Sequence, residues 1–244
     1  MNAAAKIYTV HPGGYLQCAT YLVDGPGGAI LVDPGSGADE AGVLEGIQRT
    51  GHRIEDVGYA LLTHCHVDHA LGAYRFRERG VKLVASPRTA EILRTGGHQV
   101  WYEFPDCVIP TEVDIAPADG EVLELAGLRI AVLHTPGHTD GCASYLVRTA
   151  EGLAAFTGDL ICGNGHPGWA GSEGFSLEAT LRSIEKLIGQ KPDKAFWGHG
   201  AIPGRATLWL HEALRLGKSG QWRTHAERHP DMRPPDSLLG RRRG

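Results

Sequence analysis

Thr63-His64-Cys65-His66-Val67-Asp68-His69 is the stretch that decides the fold, and the apolar segment Val57–Thr63 runs directly into it. At the end of an extended strand, His64 and His66 place their imidazoles on the same side, where the pair can hold one metal ion. Asp68 and His69 open the next helix and cannot share that orientation. They are therefore candidate ligands for a second, adjacent ion, and the stretch predicts a strand–site–helix unit.

Strand-like and helix-like segments alternate on both sides of this unit, which predicts an α/β fold with a sheet covered by helices. We expect one domain over residues 1–244, with a polar, loosely packed tail from about 218 to 244 and a long surface connection over Gly96–Pro117. Helices are predicted at Asp39–Arg49, Asp68–Arg79, Pro87–Arg94, after a Ser176 cap, and at Arg205–Leu216. Further strands are predicted at Lys6–Val10, Ala19–Val23, Ala29–Asp33, Lys82–Ala85, Glu121–Leu125, Leu128–Leu133, Ala143–Val147, Leu153–Phe156 and Lys194–Trp197.

Three later segments share one layout, in which an apolar strand runs into glycine and then into a single ligand-type residue. They are Gly137-His138, Gly158-Asp159 and Gly198-His199. Glycine permits a sharp turn or a close backbone approach at a strand end, where α/β proteins collect functional side chains. One such end would more often carry a structural or surface residue. Three of them beside the His-rich stretch favour a common site.

The stretch 63–69, followed in order by the Gly-His, Gly-Asp and Gly-His ends, resembles the metallo-β-lactamase superfamily over about residues 6–200. The resemblance implies an αββα four-layer sandwich. It assigns His64, His66 and His138 to a first metal ion, Asp68, His69 and His199 to a second, and Asp159 to a bridge between them. Asp33 resembles the superfamily's early aspartate, which supports the ligands, although Asp33-Pro34-Gly35 would also form a turn unaided.

Imidazole and carboxylate ligands without thiolate suit Zn²⁺, and they also suit iron and manganese. We therefore expect two divalent ions as cofactors, with Zn²⁺ favoured. A water held between two ions can have its pKa lowered from 15.7 towards about 7, which provides a metal-bound hydroxide as nucleophile at neutral pH. In this hypothesis Asp68 is the catalytic carboxylate that orients the water and later passes a proton to the leaving group.

Asp159 bears on the substrate through the same resemblance. True β-lactamases of the superfamily usually place Cys or Ser at this position, so Asp159 favours the glyoxalase II-like and lactonase-like members, which cleave a small carboxylic ester, thioester or lactone. The segment Leu160–Trp169 does not match the glyoxalase II pattern. Three alternatives stay open: a β-lactam hydrolase, an RNase Z-like phosphodiesterase, and a persulfide dioxygenase-like oxidoreductase with one iron on His64, His138 and Asp159.

The composition of the chain disfavours some classes of binding partner. The chain has 24 Lys and Arg against 28 Asp and Glu, a formal net charge of −4, which argues against a nucleic-acid partner. No apolar run approaches the ~20 residues that cross a bilayer, and the N-terminus has no signal-peptide pattern. We expect a cytoplasmic protein that acts on a small molecule without a membrane partner.

Two loops are candidates for the substrate pocket. His166 and Trp169 lie among glycines just beyond a predicted ligand, and Trp101 belongs to an aromatic segment of the long connection. Each of them could equally anchor a surface loop. The apolar segment Trp101–Phe104 could serve a homodimer interface as readily as a pocket.

Overall fold

Two mixed β-sheets organise the part of the chain that the computed structural model describes, namely residues 4–14, 17–95, 109–162, 165–166, 170, 174–202 and 204–222. The first sheet has the order β1-β2-β3-β4-β5, with parallel pairing of β3 with β4 and of β4 with β5. Its strands are β1 (Lys6–His11), β2 (Thr20–Gly25), β3 (Gly28–Val32), β4 (Val57–Leu61) and β5 (Lys82–Val84).

The second sheet has the order β11-β10-β9-β8-β7-β6. Its pairs are antiparallel except for β9 with β10, which run parallel, so that β7, β9 and β10 all end at the same edge. Its strands are β6 (Val122–Leu125), β7 (Leu128–His134), β8 (Ala143–Thr149), β9 (Gly152–Gly158), β10 (Lys194–Trp197) and β11 (Gly200–Ile202).

Helices cover the outer face of each sheet. Against the first sheet lie α1 (Glu40–Arg49), α2 (Val67–Ala70), α3 (Ala73–Glu78) and α4 (Pro87–Thr95), and against the second lie α5 (Leu177–Gly189) and α6 (Ala206–Lys218). Side-chain caps begin two of them: Asp39 accepts from the Gly42 amide, and Ser176, the predicted cap, accepts from the Ala179 amide, which satisfies first-turn donors. No helix within the described ranges is long and apolar enough to span a membrane.

Three buried apolar clusters separate four layers. Because neighbouring strand residues point to opposite faces, Leu22 and Leu31 pack towards the helices of the first sheet, whereas Val23 and Ile30 pack between the sheets. The third cluster lies between the second sheet and α5 and α6. The αββα sandwich that the resemblance implies is therefore confirmed, whereas the alternating segments alone had indicated only a sheet covered by helices.

The structure differs from the predicted elements at α2 and α3, at β11, and in a 3-10 helix over Ile54–Asp56 that was not predicted. The single helix expected over Asp68–Arg79 is divided into α2 and α3 at Gly72, whose amide donates to the Gly35 carbonyl at 2.8 Å. A Cβ at Gly72 would lie 2.6 Å from the Gly37 nitrogen, so this close approach needs glycine. Strand β11 was not predicted, and the tail beyond residue 222 lies outside the described residues.

Candidate metal centre

The seven predicted ligands meet at one edge of the two sheets. The strands that end there deliver them: β4 leads to His64 and His66, β7 to His138, β9 to Asp159 and β10 to His199. Asp68 and His69 lie in α2, directly after β4. The centre therefore combines four residues from the first sheet's half of the chain with three from the second sheet.

Ligand atoms of these residues form three sets, and within each set all atoms lie within 4.8 Å of one another. The first set is His64, His66 and His138; the second is His64, His69 and Asp159; the third is Asp68, His69 and His199. Because the sets share His64 and His69, the cluster is continuous. The arrangement is consistent with a metal site and is large enough for two adjacent ions.

Asp159 faces both ends of this cluster. Its Oδ2 lies 3.8 Å from His138 Nε2 and 3.4 Å from His199 Nε2, and its Oδ1 lies 3.5 Å from His69 Nε2. Asp68 Oδ2 lies 3.4 Å from His199 Nε2. A carboxylate so placed can reach an ion at either end, as the bridging position requires.

The burial of the donor atoms fits a metal ion. His64 Nε2, His69 Nε2 and Asp159 Oδ1 are inaccessible to solvent and have no hydrogen-bond partner. Leaving such atoms unpaired costs about 1–3 kcal/mol each, and these three residues form one of the ligand sets. Divalent cations bound to the cluster would satisfy all three atoms, and imidazole with carboxylate suits Zn²⁺, iron or manganese.

The charges around the cluster also favour a cation. Burial lowers the pKa of both His64 and His66 well below the ordinary histidine value, which keeps their imidazoles neutral, the form that binds metal. Burial opposes a positive charge on His69 as well, but Asp68, Asp159 and Asp33 outweigh burial and raise its pKa to about 10. The same field that holds a proton on His69 attracts a metal cation in its place.

The Gly-ligand ends work by close approach, as their sequence layout predicts. A Cβ at Gly198 would lie 2.0 Å from Asp159 Oδ1, and one at Gly158 would lie 2.5 Å from Thr63 Oγ1. Gly158 also has φ of 51°, a left-handed conformation that glycine adopts without steric cost. Glycine at these strand ends therefore lets backbone and ligands pack together.

Asp33 lies directly behind the ligands. Its Oδ1 accepts from the Thr63 amide at 2.8 Å, and its Oδ2 lies 2.7 Å from Thr63 Oγ1 and 2.9 Å from His69 Nδ1. The contact between Asp33 Oδ2 and His69 Nδ1 orients Nε2 of His69 towards the other ligands. Thr63 also touches His64 Nδ1 at 3.1 Å. Sequence reasoning gave Thr63 no role, although its place immediately before His64 was a usable signal.

Of the three predicted substrate residues, the structure describes His166. The structure puts His166 beside α6: its carbonyl accepts from the Cys162 amide at 2.6 Å, and a Cβ at the neighbouring Gly165 would lie 3.2 Å from the Ala213 nitrogen. No described contact joins His166 to the seven ligands, so its substrate role stays a prediction. Trp169 and Trp101 lie outside the described residues.

Comparison with known proteins agrees with this geometry. The family profile described as the metallo-β-lactamase superfamily matches residues 13–199, a range that contains all seven ligands and Asp33. The chain belongs to the metallo-β-lactamase superfamily. This superfamily member is 26% identical over 190 residues to a probable metallo-hydrolase of Methanocaldococcus jannaschii, covering 76% of this chain and 89% of that protein.

A second relative carries a more specific name. Hydroxyacylglutathione hydrolase of Acidiphilium cryptum is 30% identical over 164 residues, which cover 65% of this superfamily member and 57% of the relative. The match therefore spans little more than half the length of that enzyme. An uncharacterised protein of Mycobacterium tuberculosis is 32% identical over 197 residues, covering 75% and 85% of the two chains.

Solved structures share the fold. The subclass B3 metallo-β-lactamase of Bradyrhizobium japonicum superposes with a TM-score of 0.71 at 20% identity, covering 90% of this chain and 93% of that one. A subclass B3 enzyme from a soil metagenome superposes with a TM-score of 0.67 at 25% identity, covering 89% and 96%. These superpositions support the four-layer architecture of this superfamily member.

Proposed function

We propose that this protein is a hydrolase with two divalent metal ions, Zn²⁺ first among them, that cleaves a small carboxylic ester, thioester or lactone. The observation that carries the proposal is the continuous cluster of three ligand sets. Its middle set contains buried His64, His69 and Asp159 atoms that lack hydrogen-bond partners. A cluster of this extent exceeds the needs of a single ion with three protein ligands.

The relatives support an acyl substrate. One is named hydroxyacylglutathione hydrolase, and another, from Aspergillus fumigatus, is named atrochrysone carboxyl ACP thioesterase and is 27% identical over 183 residues. That second match covers 75% of this chain and 50% of the relative. Acyl-glutathione and acyl-carrier-protein compounds are both thioesters. A thioester is therefore the first substrate class to test.

The chemistry can be assigned to the residues present. His64, His66 and His138 would hold one ion, Asp68, His69 and His199 the other, and Asp159 would contact both. The bound ions would supply Lewis-acid activation of a water molecule and of the substrate carbonyl. Asp68, whose side chain is partly exposed, faces the cluster through Oδ2.

Asp68 is placed to move the proton. In hydrolysis, the water oxygen forms a bond to the acyl carbon while Asp68 Oδ2 receives a proton from that water. The bond from carbon to the leaving sulfur or oxygen then breaks, and the same proton passes from Asp68 to the leaving atom. During these steps, the 2.9 Å contact between Asp33 Oδ2 and His69 Nδ1 keeps His69 oriented.

The proposal is tested by assaying purified, metal-quantified protein against thioester, lactone, ester, β-lactam and phosphodiester substrates, with oxygen uptake measured on a persulfide. We expect about two zinc ions per chain and turnover of an ester, thioester or lactone. One iron per chain with oxygen consumption would overturn the hydrolase assignment. Preferred cleavage of a β-lactam or a phosphodiester would overturn the substrate class while leaving the metal centre in place.

Asp68→Ala should lower turnover by about 10²- to 10⁴-fold, the range for loss of a general acid–base group, while the fold stays intact. The rate is measured with excess metal ion, so that weaker binding of the second ion does not account for the loss. Asp56→Ala, in the half-buried last position of the 3-10 helix Ile54–Asp56 before β4, serves as the control and should keep the wild-type rate. Wild-type turnover by the Asp68 variant would refute the role of this carboxylate.

A further inference from the structure

Two buried tyrosines cross the space between the sheets in opposite directions. Tyr21 belongs to β2 of the first sheet, and its hydroxyl donates to the Trp197 carbonyl of β10 in the second sheet at 2.8 Å. Tyr145 belongs to β8 of the second sheet, and its hydroxyl lies 3.0 Å from the Leu62 carbonyl and 3.3 Å from the Val84 carbonyl in the first sheet's half. Each sheet thus holds the backbone of the other.

Each hydroxyl binds a carbonyl that lies two residues before a ligand in the sequence. Trp197 lies two residues before His199, and Leu62 lies two residues before His64. The carbonyls that they hold are therefore at the points where β10 and β4 give way to ligand-bearing turns. A shift of either carbonyl would be transmitted through two residues to an imidazole.

The metal centre depends on how the sheets sit relative to each other. The set His64, His66 and His138 takes two ligands from the first sheet's half and one from the second. The set Asp68, His69 and His199 is divided in the same way. Contacts that cross between the sheets consequently control the spacing within each ligand set.

The surroundings of the two hydroxyls protect these hydrogen bonds from competition by water. Tyr21 is 2% exposed and Tyr145 is fully buried, so water does not compete for either hydroxyl. The Tyr21 ring also lies 5.6 Å from the Phe156 ring and 5.2 Å from the Phe196 ring, both in the second sheet. Burial raises the pKa of both phenols far above neutrality, so both remain hydrogen-bond donors.

We propose that Tyr21 and Tyr145 are positioning residues of the metal centre, each setting the position of one ligand through a hydrogen bond across the sheets. Tyr21 sets the position of His199, and Tyr145 sets the position of His64. The inference rests on the two-ion centre proposed above. It adds a role for residues that touch neither ion nor substrate, and it predicts that the two hydroxyls act on different ions.

The test is stepwise titration of metal-free protein with Co²⁺, followed by its visible absorption, and with Zn²⁺ in competition with a chelator. His66→Ala and His199→Ala serve as single-ion references that assign each binding step. Tyr21→Phe should lower the affinity for the ion that His199 holds by about tenfold, which is the lower end for loss of a group that supports a ligand. The affinity for the other ion should stay within about twofold of the wild-type value. Tyr145→Phe should show the reverse selectivity.

Tyr59→Phe is the matched control. Tyr59 lies on β4 and packs against the same core between the sheets, yet among the described residues its hydroxyl contacts no ligand-bearing turn. This variant should bind both ions as the wild type does. Thermal unfolding of each metal-free variant reports any general loosening, which would weaken both ions together.

The outcomes separate the two proposals. An equal loss of affinity for both ions, or wild-type affinities in both tyrosine variants, would overturn the positioning role. The proposal of a two-ion enzyme would be unaffected if the wild type still binds two ions. A wild-type chain that binds no metal ion would overturn the proposed function and the positioning role with it. Selective weakening, opposite in the two variants, supports the positioning role.

Discussion

Asp33 illustrates how much a single buried residue controls. It is 2% exposed, adopts a left-handed backbone conformation with φ of 51°, and contacts Thr63 and His69 through both carboxylate oxygens. Asp tolerates this conformation better than most residues because its short polar side chain bonds locally. The carboxylate therefore joins the residue before His64 to His69, and none of its described hydrogen bonds lies within Asp33-Pro34-Gly35.

Replacing Asp33 with Asn should weaken metal binding by about 10- to 100-fold. The amide nitrogen that replaces one carboxylate oxygen is a donor and accepts no hydrogen bond, so Asn cannot accept all the hydrogen bonds that Thr63 and His69 donate to Asp33. The measurement is chelator competition with Zn²⁺. Asp24→Asn, which alters a carboxylate paired with His52 away from the centre, is the control and should bind like the wild type. Equal affinity in the Asp33 variant would show that the carboxylate does not support the ligands.

At the scale of elements, Glu40 joins two helices of the outer layer. It lies at the start of α1 and pairs with Arg79 and Arg75 at and within α3. The hydrogen bond from Arg79, with further contributions from Arg75, holds the pKa of Glu40 below its usual value. The ionised carboxylate thus stabilises the folded chain above the unfolded pKa, and this stabilisation is lost as the pH falls through the lower folded pKa.

Glu40→Gln should lower the free energy of unfolding at pH 7 by about 0.2–1 kcal/mol, the range for partly exposed ion pairs. The difference from wild type should shrink as the pH falls below about 4, where the glutamate of the unfolded chain takes up its proton. Urea unfolding at several pH values measures it. Glu45→Gln, on the exposed face of α1, is the control. A difference that grows at low pH would contradict the assignment.

At the scale of the whole molecule, the metal centre joins the two halves of the sandwich. Backbone hydrogen bonds also connect the two halves. The Ala143 amide donates to the Thr63 carbonyl at 2.8 Å, and the Ala19 amide donates to the Gly198 carbonyl at 2.7 Å. Ions bound to ligands from both sheets would add to these contacts in the folded state alone.

Removal of metal with a chelator should therefore lower the unfolding temperature and abolish hydrolysis, and added Zn²⁺ should restore both. At an ion concentration 100 times the dissociation constant, binding stabilises the fold by about 2.7 kcal/mol per site. Calorimetry with and without chelator measures the change. Asp159→Asn should respond less to the chelator than wild type does. An unfolding temperature that ignores chelator and metal alike would argue against ions shared between the sheets.

The sequence by itself determined the ligand types, the α/β class and the order of most elements. Local rules suffice for these: the spacing of His64 and His66, glycine at strand ends, alternation along strands and the Ser176 cap all act within a few residues. The break of the Asp68–Arg79 helix was not predictable in this way, because Gly72 meets the backbone of Gly35 and Gly37, which are distant in sequence.

Only the tertiary structure decided how the ligands are shared between two sheets. The strand order within each sheet, the approach of Gly198 to Asp159 and the opposite crossings of Tyr21 and Tyr145 depend on how distant segments pack together. No local pattern encodes these contacts, since a tyrosine in a buried strand has the same sequence signature whether its hydroxyl meets a ligand turn or not. Packing of distant segments turns seven predicted ligands into one centre.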